Sequence, residues 1–288
     1  MMNTAEISLD LKNTVTDIYR RYGNKDSAHC FESIYIWRQE MGLSVVCSDD
    51  IYTVQEASKG PFSWFFPVGS ADAKESFIKK QLEDDDPQFY YMTPEDVTFL
   101  EQRFPGRFDI YEAPESSEYI MSREIMEKMP GSSFSKDRGH INKMLRDHSF
   151  ETVNIRAVPK SVVYDISAEW DASKHIFDNL PDKDANISVI EHMDDLDIEG
   201  IVLYMDGSPC AVCGGFQISA NTVDCVIQKT SLKLQGLTYY LRQEYARSLS
   251  PDIVFLNWEE DLGIEGLRRA KQLMQPIDMI KMYTGKAK

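Results

Sequence analysis

Residues 252–271 read DIVFLNWEEDLGIEGLRRAK, and the fold turns on how this stretch divides. Ile253, Val254, Phe255 and Leu256 form a short apolar run with the β-branched and aromatic content of a buried strand. The carboxylates Glu259, Glu260 and Asp261 follow, and then a helical pattern ending in Arg268, Arg269 and Lys271. A strand that delivers polar residues from its carboxyl end into a helix is the arrangement in which open α/β sheets present ligand sites. Asp261 suits the cap of that helix, and Glu259 and Glu260 suit its positive end. Capping leaves Asn257 without a role. It also leaves Gly263 and Gly266 unexplained, since a glycine inside a helix costs about 1 kcal/mol relative to alanine. Three apart, they share a helical face and permit close approach of a backbone or a ligand. Arg268 and Lys271 share a face at i and i+3, where they are either solvated surface or holders of an anion.

Immediately upstream, TVDCVIQKTSLKLQGLTYYLRQEYARSL (222–249) joins a strand to a helix, with Lys229 at the strand's end and Gly236 at the helix start. Backbone N–H groups at such a start bind anions. Lys229 is positioned to stabilise negative charge developing on a carbonyl, or to be an ordinary surface lysine. Cys210 and Cys213 form C-x-x-C, but in a strand pattern they point to opposite faces and cannot share a metal. The histidines lack ligand spacing, so no metal is predicted. Neither G-x-S-x-G, a Walker loop nor G-x-G-x-x-G occurs, which leaves hydrolase, P-loop and dinucleotide readings without support.

Further out, Leu9, Leu11, Val15, Ile18 and Tyr19 recur at helical spacing and Gly23 stops the pattern. A second helical pattern around residues 29–42 leads into the β-like runs LSVVC, IYTVQ and FSWFFPVG. Thr93 and Pro94 open another helix that ends at Pro105 and Gly106, and a strand follows. PGSSFSKDRGHINKMLRDHSF reads as a loop and a basic helix, ETVNIRAV as a fresh strand. The domain junction is placed there, giving domains 1–150 and 151–288. The second half continues with a helix from Ser161 to Asn179, a helical stretch near Ile190, strands GIVLYMD, SPCAVCGGFQI and TVDCVIQKT, and a last strand near PIDMIKMY. This order is α+β and not a repeating βαβ pattern.

A chain of 288 residues suits two domains, and 42% hydrophobic with 11% aromatic content is that of a folded protein. The net charge of −16 repels polyanions, so a phosphate or nucleic-acid ligand needs a local basic patch. Lys136, Arg138, Lys143 and Arg146 near the junction, and Lys281, Lys286 and Lys288 at the end, are such groups; converging with Arg268 and Lys271, they would line a positive cleft between domains. Five cysteines without a disulfide framework indicate a reducing compartment, and a cytoplasmic location is expected. No apolar run reaches membrane-spanning length, and residues 1–14 lack the features of a secretion signal.

Three stretches, FSKDRGHINKMLRDH, CVIQKTSLKLQGLTYYL and NWEEDLGIEGLRRAKQLMQP, resemble in order and spacing the soluble proteins that share the phosphatidylglycerol lysyltransferase C-terminal domain. The resemblance implies two tandem GNAT-like domains, each a mixed, mainly antiparallel sheet flanked by helices, with the acyl donor lying where strands splay. It marks Lys136, Arg138, Asn142, Lys229, Asn257, Glu259, Glu260, Asp261, Gly263, Arg268 and Lys271 as motif positions. The expected activity is transfer of an activated acyl group to an amine or hydroxyl of a small-molecule or peptide acceptor. The co-substrate would be aminoacyl-tRNA or acyl-CoA, with no tightly bound cofactor and no integral membrane contact. Glu259 or Glu260 would orient or deprotonate the amine, Lys229 or a backbone N–H would stabilise the oxyanion, and Lys136, Arg138, Arg268 and Lys271 would hold donor phosphates at the tRNA acceptor end. An acetyl-CoA-dependent N-acetyltransferase and a non-catalytic binding protein on the same fold are the alternatives.

Overall fold

The computed structural model of the chain describes residues 4–84, 86–172, 182–231 and 233–288. Its strands are β1 (Leu43–Cys47), β2 (Ile51–Glu56), β3 (Ser63–Phe65), β4 (Val68–Gly69), β5 (Gln88–Met92), β6 (Phe108–Glu112), β7 (Glu118–Ser122), β8 (Phe150–Asn154), β9 (Glu199–Met205), β10 (Ser208–Ser219), β11 (Thr222–Thr230), β12 (Phe255–Asn257), β13 (Asp278–Ile280) and β14 (Tyr283–Ala287). Its helices are α1 (Lys12–Tyr22), α2 (Phe31–Trp37), α3 (Ala71–Asp84), α4 (Pro94–Arg103), α5 (Arg123–Lys128), α6 (Ser135–Asp147), α7 (Lys160–Ala172), α8 (Lys183–Glu191), α9 (Leu237–Ser248) and α10 (Glu265–Leu273).

The fold is α+β, with two mixed sheets flanked by helices. The first sheet runs β1-β2-β3-β5-β14-β6, with β4 also on β2, and only β3 and β5 pair in parallel. The second carries the path β7-β12-β11-β10-β9-β8, in which only β11 and β12 are parallel. That parallel step requires a crossover, and α9 supplies it.

The chain divides into two compact units: Met1–Tyr119 with Glu259–Leu273 and Asp278–Lys288, and Ile120–Trp258 with Met274–Ile277. Contiguous halves meeting at residue 150 were the expectation, and the units are instead discontinuous. The strand expected near PIDMIKMY is β13, at the edge of the second sheet beside β7, and a further strand, β14, follows it and lies between β5 and β6 of the first. Local patterning reports that a segment is a strand, whereas its neighbour is chosen by distant parts of the chain.

Alternating apolar positions build each core. In the first unit Trp64, Phe66 and Phe89 meet Phe77 and Ile78 of α3 and Leu100 of α4. In the second, Ile201, Leu203, Val212, Phe216 and Ile227 are buried on β9 to β11, and α9, which packs on β9 and β10, buries Leu237, Leu241 and Tyr245. Full burial of side chains this size contributes about 1.5–3 kcal/mol each, which fixes α9 on its sheet. Helix ends follow the sequence: Gly23 donates its N–H to the Tyr19 carbonyl and ends α1, and Thr93 N–H donates to Asp96 Oδ2 at 3.0 Å at the start of α4. The expected extension of α7 to Asn179 lies outside the described residues. Among the described residues no helix is long and apolar enough to cross a membrane.

Candidate active-site residues

The stretch 257–271 changes unit after Trp258. Asn257 ends β12, fully buried and in register with Asp224 of β11 and Ile120 of β7. The chain then turns tightly. Glu259 and Leu262 have left-handed φ values of 55° and 53°, conformations that cost a non-glycine residue on the order of 1 kcal/mol or more. Two backbone bonds hold the turn, Tyr119 N–H to the Glu259 carbonyl at 3.2 Å and Leu262 N–H to the Glu115 carbonyl at 3.0 Å.

Asp261 is the hub of this turn. Its Oδ2 accepts from the Tyr119 hydroxyl at 2.6 Å and Arg268 Nε at 2.8 Å, and its Oδ1 accepts from Arg268 Nη2 at 3.0 Å and Gly263 N–H at 2.9 Å. Burial works to raise the Asp261 pKa, but the bonds from Arg268, Tyr119 and Gly263 outweigh it and hold the carboxyl below its ordinary value. Burial, followed by that same carboxylate, pushes the Tyr119 phenol up to about 12. Because α10 begins only at Glu265, Asp261 closes the preceding turn and does not cap the helix. Gly263, expected on a helical face with Gly266, lies in that turn with φ 71°, a conformation that favours glycine. Arg268, expected as a phosphate holder, directs its Nε and Nη2 at Asp261.

Glu260 is half-buried beside these groups. Burial raises its carboxyl pKa, Asp261 adds to the rise, and Lys271 and Lys59 pull in the opposite direction. Lys271 is buried and donates to the Glu260 carbonyl oxygen, with its ammonium 5.8 Å from the Tyr119 ring centroid. Tyr91 lies in the fields of Glu260, Glu56, Glu118 and Glu259, which add to burial in raising its phenol pKa. The arrangement can accept a proton at Glu260 and offers a fixed ammonium nearby.

In the second unit, Lys229 near the end of β11 is buried, with Nζ 2.7 Å from Asp182 Oδ2 and 3.8 Å from the Trp170 ring centroid. An ammonium held by a carboxylate and an aromatic face ties α7 and the start of α8 to the sheet. On α6, Lys136 and Asn142 are exposed, and Arg138 Nη1 donates to the carbonyls of Met129 and Gly131, closing the turn ahead of the helix. Gly236 has φ 95°, and a Cβ there would come within 2.9 Å of the His140 carbonyl carbon. It permits close approach of the α6 backbone to the start of α9. The terminal cations Lys281 and Lys288 pair with Glu112 and Asp109 at 3.3 and 3.0 Å.

The expected residues thus fall into two groups. Glu259, Glu260, Asp261, Gly263, Arg268 and Lys271 belong to the first unit, and Lys136, Arg138, Asn142, Lys229, Gly236 and Asn257 to the second. Sequence reading missed Tyr119, Trp170, Asp182 and Arg242. The first three act through contacts distant in sequence and leave no local signal. Arg242 did leave one: it stands three residues after Tyr239, on the same side of the helix. Its Nε donates to Gln228 Oε1 at 2.6 Å, and its guanidinium carbon lies 5.7 and 5.8 Å from the ring centroids of Tyr239 and Trp258.

Comparison with curated proteins gives no match. Among solved structures, a conserved protein of unknown function from Bacteroides thetaiotaomicron superposes with a TM-score of 0.88 at 23% identity, covering 100% of both chains. L-PGS from Bacillus licheniformis matches with a TM-score of 0.64 at 14% identity, over 100% of this chain and 94% of the other. A tandem GNAT protein from the clavulanic acid biosynthesis pathway matches with a TM-score of 0.50 at 8% identity, over 99% and 98%. These likenesses establish the tandem GNAT-like fold. The family model described as phosphatidylglycerol lysyltransferase, C-terminal, matches residues 19–285, and the chain belongs to that transferase family.

Proposed function

We propose that the protein moves an activated acyl or aminoacyl group onto an amine or hydroxyl acceptor, with Glu260 as proton acceptor. The observation that carries the reading is the setting of Glu260, a carboxylate made more basic by burial and placed beside Lys271, in a chain of this family. An amine attacks an ester or thioester carbonyl as the free base. Glu260 takes the proton from the attacking nitrogen, the tetrahedral oxyanion collapses, and the donor's hydroxyl or thiol leaves with a proton. Lys271 supplies positive charge where the oxyanion develops. Asp261, Tyr119 and Arg268 are positioning residues that hold the turn carrying Glu260. Lys229, committed to Asp182 and Trp170, takes a structural part in this scheme.

The family is that of a lysyltransferase, which favours aminoacyl-tRNA over acyl-CoA as donor. The exposed cations of α6, Lys136 and Lys143, are the groups suited to phosphates of a tRNA acceptor end. The acceptor is a small molecule or peptide, and a cytoplasmic location fits that substrate set. The test incubates the protein with radiolabelled lysyl-tRNA or acetyl-CoA and a panel of primary amines, and follows label into the acceptor. Transfer from charged tRNA that Glu260→Gln lowers by about 100-fold or more is the expected result. Transfer from acetyl-CoA alone makes the protein an acetyltransferase, and transfer from neither donor overturns the reading.

A further inference from the structure

Arg242 differs from the buried Lys229, which is paired with a carboxylate. It projects from the second turn of α9, half-buried, and its Nε is fixed on the Gln228 amide oxygen. Among the described residues neither Nη meets an acceptor and no carboxylate pairs with the guanidinium. The groups that act on it electrostatically are the Tyr239 phenol and the thiols of Cys213 and Cys225, and burial lowers its pKa. Withdrawing a guanidinium from water costs free energy that a counter-ion ordinarily recovers. In a chain with 47 Asp and Glu residues, that counter-ion is easily supplied. Lys229 has Asp182, and Arg268 has Asp261. Arg242 has one neutral amide on one of its nitrogens.

With Nε fixed, the remaining N–H donors form a planar fork whose geometry matches two oxygens of a phosphate or carboxylate. The surroundings favour phosphate. Asp137 acts on Tyr239, so the first turn of α6 lies beside this part of α9, and α6 carries exposed Lys136 and Lys143. We infer that Arg242, oriented by Gln228 and backed by Tyr239 and Trp258, binds a phosphate group of the acyl donor. Assignment to a donor rests on the transferase reading; the anion site does not.

The test titrates the full chain calorimetrically, at fixed low salt, with inorganic pyrophosphate, coenzyme A and an uncharged tRNA acceptor-stem minihelix. The wild type should bind at least one probe. Arg242→Met should weaken that binding tenfold or more, with Arg242→Lys between, because lysine keeps the charge and loses the fork. Dependence on Arg242 with coenzyme A identifies a CoA donor, and with the minihelix a tRNA donor. If the methionine variant does not fold, phenylglyoxal modification of the wild type, mapped by mass spectrometry, gives the same answer through protection of Arg242 by the probe. No probe binding, binding unchanged in folded Arg242→Met, or modification unaffected by saturating probe overturns the inference. Arg242-dependent binding without transfer leaves the site standing and removes the transferase. Transfer without Arg242-dependent binding does the reverse.

Discussion

Tyr119→Phe isolates one bond in the turn that carries Glu260. The substitution removes a hydroxyl that donates to Asp261 at 2.6 Å and leaves the ring to pack as before, with both side chains buried. A hydrogen bond to a charged acceptor contributes on the order of 1.5–3 kcal/mol. Asp261 keeps its bonds from Arg268 and Gly263, so the lower part of that range applies, about 1.5–2 kcal/mol at pH 7. With a urea dependence of about 2 kcal/mol per molar, the unfolding midpoint falls by roughly 1 M. The pH dependence gives a second handle. Because the Asp261 carboxyl is held below its ordinary value, its contribution is complete above the unfolded carboxyl pKa and is lost as pH falls through the lower folded value. The deficit of Tyr119→Phe should shrink over that same acid window, since protonated Asp261 accepts only a neutral bond. Toward alkali, Tyr119's own contribution is complete below its unfolded pKa and fades as pH rises toward about 12. Urea titrations of both proteins at pH 7 and at successively lower pH, read by tryptophan fluorescence, measure this directly. A deficit below about 0.5 kcal/mol at pH 7, or one that grows toward acid, refutes the account of Asp261 as a charged hub.

Other substitutions separate structural from chemical parts. If Glu260 is the base, the acid limb of the rate profile lies above the usual glutamate range, because burial raises its pKa; a limb at the ordinary value counts against the assignment. Lys229→Met leaves Asp182 and Trp170 without their ammonium and should destabilise the second unit by about 2–4 kcal/mol, discounted for the partial exposure of Asp182; unchanged calorimetric stability with a collapsed turnover would return Lys229 to catalysis. Gly236→Ala combines φ 95° with a 2.9 Å approach to the His140 backbone and should cost about 2–4 kcal/mol, whereas Gly106→Ala, at φ 70° in open space, should cost only about 1 kcal/mol; equal thermal shifts for the two would show that the α6 contact is unimportant. With tRNA as donor, its affinity should fall steeply between low and physiological salt in a filter-binding assay, and a flat response excludes backbone phosphate contacts.

The sequence made local structure legible where one segment supplies the whole cause. The spacing of Val15, Ile18 and Tyr19 marks α1, and Thr93 with Pro94 opens α4. What stayed hidden depends on partners far away in the chain. Tyr119 and Asp261 are 142 residues apart, and Lys229 and Asp182 are 47 apart, so neither pairing has a local pattern. In sequence, Asp261 and Arg268 suggest a cap and a phosphate ligand separately, because each role is individually common near a helix. A bidentate bond between them requires the turn at Gly263, whose left-handed backbone a helical pattern does not reveal.

The discontinuity of the units bears on why these residues gather where they do. The chain passes between units after Tyr119 and again after Trp258. At both passages β7 and β12 run side by side: in the second unit Asn257 is in register with Ile120, and in the first Tyr119 N–H donates to the Glu259 carbonyl. A polar turn at such a place needs its own support, because the sheet's hydrogen-bond ladder stops there. Asp261 supplies that support by accepting from Tyr119 on one passage and from Gly263 and Arg268 on the other. The carboxylate that holds this turn in the first unit is kept charged, and its neighbour Glu260 is pushed by burial toward the neutral acid. Two adjacent carboxyls are thereby driven apart in pKa by environment alone, the condition under which one can anchor a turn while the other exchanges a proton.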